Sequence, residues 1–244
     1  MDVSLFIPCL VDRFLPEVGE ATVEVLRRVG HRVLYDNRQT CCGQPAFNAG
    51  HVDEATALAR RFLDIFEDAE VVVAPSGSCV SMVTRHYGDL PLSDRDLRRW
   101  SSLRGRIFEL AQFLDRFGDL DRLGARWTGR LGMHHSCHFL RELDGASAAL
   151  RRVLDRVAGL DAVDLPDATT CCGFGGTFSA KFPDVSIDMG RDKLATIDAA
   201  GIDAVAMADA GCLLQLRGIR KGSGRTGPPI LHYVQILAGH ENTP

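Results

Sequence analysis

Four cysteine positions recur along this chain in the same order and at nearly constant spacing. Cys9, Cys41, Cys42 and Cys79 in the first half are matched by Cys137, Cys171, Cys172 and Cys212 in the second, at offsets of 128, 130, 130 and 133 residues. All eight cysteines of the 244-residue chain belong to the pattern. Thiols scattered for packing would not fall into register in this way, so the chain is read as a duplicated unit whose fold brings the same four positions together twice.

The segments between the cysteines fix the class of that unit. Val3 to Ile7 reads as a short strand running into Pro8-Cys9. Val18, Ala21, Val25, Leu26 and Val29 then repeat at helical spacing, and Gly30 closes that helix. Arg32 to Tyr35 is a second strand, Cys41-Cys42-Gly43-Gln44-Pro45 a loop, 52–67 an amphipathic helix, Val71 to Ala74 a buried strand, and Pro75 to Cys79 its closing loop. The second half repeats the order. Leu131 to His134 is a strand, 145–158 a helix, Ala162 to Leu165 a strand, and Cys171 to Gly176 a loop. A helix over 186–199 with Ser186 as its cap, a strand over Ala204 to Ala208 and a loop over Asp209 to Cys212 complete it. Ser93 to Phe117 is expected to form one long connecting helix, opened by Ser93 and Asp96. Residues 217–229 are expected to be an exposed loop, and Ile230 to Leu237 either a strand or a helix. Alternating strands and helices imply parallel sheets, whose sites form beyond the strands' carboxyl ends. The expected fold is α/β: two pseudo-symmetric Rossmann-like repeats with the cysteines at the C-terminal ends of strands. The first repeat spans 1–92, a connecting helical segment 93–128, and the second repeat 129–244.

Bulk properties narrow the chemistry. A net charge of -4 gives no electrostatic footprint for nucleic acid. The longest apolar runs are far too short for a transmembrane segment. The N-terminus Met-Asp-Val-Ser-Leu-Phe has neither the basic nor the long apolar region of a secretory signal. A cytoplasmic location is therefore expected, where thiols stay reduced. Adjacent cysteines also bridge poorly, since neighbouring Cα atoms lie about 3.8 Å apart while disulfides need about 4.4–6.8 Å. Metal binding is the better use for the eight thiols. Structural zinc usually recruits cysteines two to four residues apart, and no Cys-x-x-Cys occurs. Neighbouring side chains diverge, which suits two irons of a cluster better than one small ion, so an iron–sulfur cluster is the leading expectation, with zinc and metal-free reactive thiols as alternatives. Gly43 and Gly173, directly after the paired cysteines, would let backbone N–H groups approach the sulfurs. Asp209, Ser76 and His134 are weaker candidate ligands, with His135 and His138 also flanking Cys137. No G-x-G-x-x-G follows an expected strand, so no nucleotide or flavin fingerprint is present.

The segments SLFIPCLVD (4–12), CCGQPAFNAG (41–50), PSGSC (75–79), CCGFGGTFS (171–179) and DAGCLLQL (209–216) resemble the cysteine-rich CCG domain family. That family includes the cysteine-rich subunit of heterodisulfide reductase, the iron–sulfur subunit of glycolate oxidase and, nearest in motif, lactate-utilisation protein A. The resemblance implies iron–sulfur clusters of the [4Fe–4S] kind, at most one per repeat, on the eight cysteines, with zinc as a possible substitute. It also implies electron transfer beside other subunits of a lactate-oxidation complex, another iron–sulfur protein among them. Heterodisulfide reductase closes each unit with Cys-x-x-Cys and so has five thiols. Here the extra position is Ser76 in one repeat and Asp209 in the other, a substitution that lactate-utilisation protein A shares.

Overall fold

The computed structural model describes residues 1–239. The last five residues, which fall inside the second expected repeat, lie outside the described residues. The first half runs β1 (Asp2–Leu5), α1 (Cys9–Phe14), α2 (Pro16–Arg28), β2 (Arg32–Leu34), α3 (Gln44–Asn48), α4 (Val52–Phe66), β3 (Val71–Ala74), α5 (Gly77–Arg85), α6 (Asp94–Leu103), β4 (Ile107–Glu109) and α7 (Leu110–Phe117). The second runs β5 (Arg126–His134), α8 (Cys137–Glu142), α9 (Ala146–Leu154), β6 (Ala158–Asp164), α10 (Thr177–Lys181), α11 (Pro183–Ala199), β7 (Ala204–Met207), α12 (Ala210–Ser223), β8 (Ile230–His232) and α13 (Tyr233–Ala238).

Each half builds a four-stranded, all-parallel sheet, in the orders β2-β1-β3-β4 and β6-β5-β7-β8. Helices cover both faces of such a sheet, so its central strands read as unbroken apolar runs. β3 and β7 are buried at every position. The helices pack through stripes at three- and four-residue spacing, such as Val18, Ala21, Thr22, Val25 and Leu26 of α2 and Ala55, Ala59, Phe62, Leu63 and Phe66 of α4. The α/β fold of two parallel-sheet repeats is thus as expected.

Four local expectations are corrected. The stretch from Ser93 is not one helix. Ser93 does cap α6, accepting from the Asp96 N–H at 3.2 Å, but α6 stops at Leu103 and Ile107 to Glu109 pair in parallel with Val72 to Ala74. An open sheet edge beside β3 draws those three residues out of helix. Ile230 to Leu237 is both strand and helix, β8 followed by α13, and β8 pairs with β7 as β4 pairs with β3. Residues 217–229 are not all loop, because α12 continues to Ser223 and ends on Gly224 in a left-handed conformation. Ser186 is not a cap either: α11 begins at Pro183, and Ser186 is buried inside it, donating to the Gly173 carbonyl at 2.8 Å.

The halves interlock. α7 of the first packs on α9 of the second, and α13 of the second packs on α2 of the first, a reciprocal exchange of terminal helices. Arg28 at the end of α2 donates to the Ala238 carbonyl at 2.9 Å, satisfying the end of α13. In the same seam Tyr233 Oη donates to Glu109 Oε1 at 2.8 Å, while the Ala111 N–H donates to Oε2 at 2.7 Å. Glu109 is fully buried, and burial raises its pKa from the usual 4.5 to about 8 despite those two hydrogen bonds.

This carboxyl sets a pH dependence of known sign. Between about pH 4.5 and pH 8 the folded chain keeps the Glu109 proton while the unfolded chain has lost it. The unfolded state binds fewer protons there, so stability falls as pH rises through that window. Glu109→Gln is expected to flatten the fall and to be more stable than the unsubstituted protein at the upper end. Denaturant unfolding at both ends of the window checks this, and an unchanged slope would place the proton on another group.

Candidate metal centre

The strand ends of both sheets converge on one cavity of about 410 Å³, and all eight cysteines line it. Cys9 and Cys137 are the first residues of α1 and α8, directly beyond β1 and β5. Cys79 and Cys212 sit in the first turns of α5 and α12 rather than in closing loops, because those helices begin at Gly77 and Ala210. Each vicinal pair precedes a glycine whose φ is left-handed, 88° at Gly43 and 84° at Gly173. That turn aims the glycine N–H back at the first sulfur of the pair. Gly43 N donates to Cys41 Sγ and Gly173 N to Cys171 Sγ, both at 3.4 Å.

Within each quartet the sulfurs form a chain. Cys9 Sγ lies 3.5 Å from Cys41 Sγ, and Cys172 Sγ lies 2.9 Å from Cys212 Sγ. Hydrogen bonds from Cys42 and then Cys9, together with the Gly43 N–H, pull the Cys41 pKa well below the usual thiol range. Hydrogen bonds from Cys137 and Cys172 do the same to Cys171. The donors Cys9, Cys42, Cys137 and Cys172 move up in consequence, with burial adding to the rise. The first sulfur of each pair is thus the one that its neighbours and a backbone N–H favour as thiolate. Such a donor set suits a soft, thiolate-seeking metal group. The residues fit an iron–sulfur cluster: four sulfurs converge in each repeat, glycine N–H groups point at the first of each pair, and the α5 and α12 N-termini carry positive partial charge toward Cys79 and Cys212.

The other candidates have varied surroundings. Asp209 is buried and lines the cavity, but its carboxylate spans the seam between the repeats. It accepts from Ser78 N at 2.8 Å, from Ser76 Oγ at 3.2 Å and from Ser136 Oγ. It thereby satisfies the start of α5, the helix carrying Cys79 in the other repeat. Ser76 also lies 3.4 Å from Ser78 Oγ, so its hydroxyl faces oxygens rather than sulfur. His135 pairs with Asp164 at 3.1 Å, and His138 reaches across to Gln44 at 3.3 Å. His134 is buried, both its ring nitrogens lack a partner, and it lies within 4.8 Å of the Cys172 and Cys212 sulfurs. Burial pushes its pKa down to about 3, with the Lys193 charge adding to the effect, so its ring is neutral. The sequence reading missed Ser136 and Ser78 as partners of Asp209. It also expected a rim of thiols on each half and did not see that both rims open on one cavity.

The two glycines give a matched test. Both conformations disfavour any Cβ by about 1–2 kcal/mol. At Gly43 a methyl group would find the nearest atom, Ala55 O, at 3.5 Å, whereas at Gly173 it would meet Ser186 O at 2.5 Å. Gly173→Ala is expected to destabilise the protein clearly more than Gly43→Ala, as read by denaturant unfolding, and equal losses would mean that the α11 backbone gives way.

The comparisons with known proteins accord with this geometry. The family model of the cysteine-rich CCG domain matches residues 3–84 and 131–217, one match on each repeat. Lactate utilization protein A of Geobacillus kaustophilus is 43% identical over 243 residues, covering 97% of this chain and 98% of that protein. Its namesake from Geobacillus thermodenitrificans is 40% identical, covering 99% and 100%. The crystal structure of a hypothetical protein from Helicobacter pylori shares the fold at a TM-score of 0.60 and 12% identity, over 99% of this chain and 49% of that one. Two family matches that coincide with the two cysteine quartets, and relatives similar along nearly their whole length, place this chain in the cysteine-rich CCG domain family, among proteins similar to lactate utilization protein A.

Proposed function

We propose that the chain is an iron–sulfur electron-transfer subunit of a multi-protein system that oxidises L-lactate to pyruvate in the cytoplasm. The observation that carries this reading is the convergence of eight thiols from facing strand ends on one cavity. The names of the relatives supply the link to lactate utilization. Among the described residues no helix is long and apolar enough to cross a membrane.

In this reading Cys9, Cys41, Cys42 and Cys79 hold one cluster, and Cys137, Cys171, Cys172 and Cys212 hold a second. The clusters, of the [4Fe–4S] kind, supply one-electron carriers when bound. The chain's own groups supply the rest. The thiolates bind, and the Gly43 and Gly173 N–H groups offset negative charge on the first sulfur of each pair. Buried Cys42, Cys172 and Cys212 present their sulfurs from walls shielded from solvent. Oxidation of lactate to pyruvate releases two electrons and two protons. The sequence carries no flavin or nicotinamide fingerprint, so a partner subunit takes these from the substrate and another iron–sulfur protein of the complex shares the electron path. The alternative reading is an iron–sulfur subunit of a glycolate oxidase-type or heterodisulfide reductase-type complex, which would take a different substrate.

Anaerobic purification and reconstitution with iron(II) and sulfide tests the reading. Bound iron, acid-labile sulfide and a broad visible absorption that dithionite bleaches are expected. A colourless, iron-free protein would reject it, and one or two zinc ions without iron would favour a metal-stabilised interaction module instead. Cys41→Ser and Cys172→Ser should each remove the iron of its own repeat, about half of the total, which iron analysis and EPR of the two variants would register. Loss of all iron in both variants would mean one site shared across the cavity.

A further inference from the structure

The repeats are alike in their thiols and unlike in what stands behind them. His134 lies three residues before Cys137, as Phe6 lies three before Cys9, and the strand registers agree: Leu5 pairs with Val73, and its counterpart Met133 pairs with Ala206. The glycine contacts align the long helices in the same way. Gly43 faces Ala55 and Leu58, and Gly173 faces Ser186 and Met189, which makes Lys193 the counterpart of Phe62. In the first repeat the pair Phe6 and Phe62 is an aromatic contact, edge to face at 5.1 Å. In the second repeat the same two places hold His134 and Lys193, each at most 2% exposed.

Polar groups at such depth need partners, because an unpaired one costs about 1–3 kcal/mol. Lys193 Nζ donates to the Asp167 carbonyl at 2.5 Å. His134 has no partner at either nitrogen. What it does have is two sulfurs, Cys172 and Cys212, close enough for one nitrogen and both sulfurs to share a metal atom. His134 does not line the cavity, so it reaches those sulfurs from the strand side and leaves the cavity side free.

We propose that His134 is a nitrogen ligand to the metal group of the second quartet, beside Cys172 and Cys212, which makes the two centres of this protein chemically different: sulfur alone in the first repeat, sulfur and imidazole in the second. A neutral imidazole beside the thiolates changes the donor set of the second centre, and ligand identity is one of the levers that set such a centre's potential. This inference rests on the eight cysteines binding metal, as in the function proposed above.

The test compares the protein with His134→Phe, chosen because Phe6 fills the equivalent place, and with His134→Gln should the phenylalanine disturb folding. A Cys41→Ser, Cys42→Ser background confines metal to the second quartet. After anaerobic loading with iron(II) and sulfide, electron–nuclear double resonance on protein carrying 15N-histidine should show a directly bonded nitrogen. The coupling should vanish in the His134 variants, and the centre's midpoint potential should shift. An iron-loaded second quartet with no histidine nitrogen coupling overturns the inference while leaving the iron–sulfur reading intact. If no iron and sulfide bind at all, the iron–sulfur reading fails first, and cobalt(II) alone reads the ligand set. His134→Phe should then weaken cobalt binding by about tenfold or more, and an unchanged titration overturns the inference.

Discussion

The structure depends on one packing relation, the placement of two parallel sheets so that their strand carboxyl ends face one another. Every thiol follows a strand, so the meeting of strand ends is also the meeting of sulfurs. That placement is held by groups foreign to metal binding: the exchanged helices α7 and α13, the Tyr233–Glu109 hydrogen bond and the Arg28 contact with the end of α13. The Asp209 carboxylate joins them inside the cavity wall, accepting from Ser76, Ser78 and Ser136. A carboxylate that binds a helix start in the opposite repeat ties the position of Cys79 to the position of Cys212.

The same relation explains why duplication was retained in the thiols and relaxed around them. Cys41 and Cys171 need the same left-handed glycine and the same N–H contact, at 3.4 Å in both repeats. The residues behind them are free to diverge. Phe6 and Phe62 close one half with apolar packing, while His134 and Lys193 bring buried polarity to the other. Likewise Glu109 and His232 occupy matching ends of β4 and β8, and each caps its own helix, yet only Glu109 receives a hydroxyl from the other repeat.

Much of this was legible in the sequence. The spacing of eight cysteines announced two units, and unbroken valine runs such as Val71 to Val73 announced buried parallel strands. What stayed hidden depended on partners distant in the chain. Ile107 to Glu109 reads as helix by periodicity, and only the vacant edge of β3 makes it a strand. Ser186 has the chemistry of a cap, yet a close approach of α11 to the Gly173 turn uses its hydroxyl instead. No spacing rule could reveal that Asp209 serves a helix of the other repeat, since that contact spans 131 residues. Side by side, RIFELAQFL (106–114) and PILHYVQIL (229–237) reveal the fourth strand of each unit, but the match is too short to weigh without the sheets.

The reciprocal helix exchange has a consequence for synthesis. α2 of the first repeat is covered by α13 of the second, so one side of the earlier helix waits for a segment made after both sheets. Until α13 has been made, the first repeat lacks the helix that packs on α2. The first repeat therefore completes its packing only after the second has been made, which makes the two repeats one folding unit rather than two.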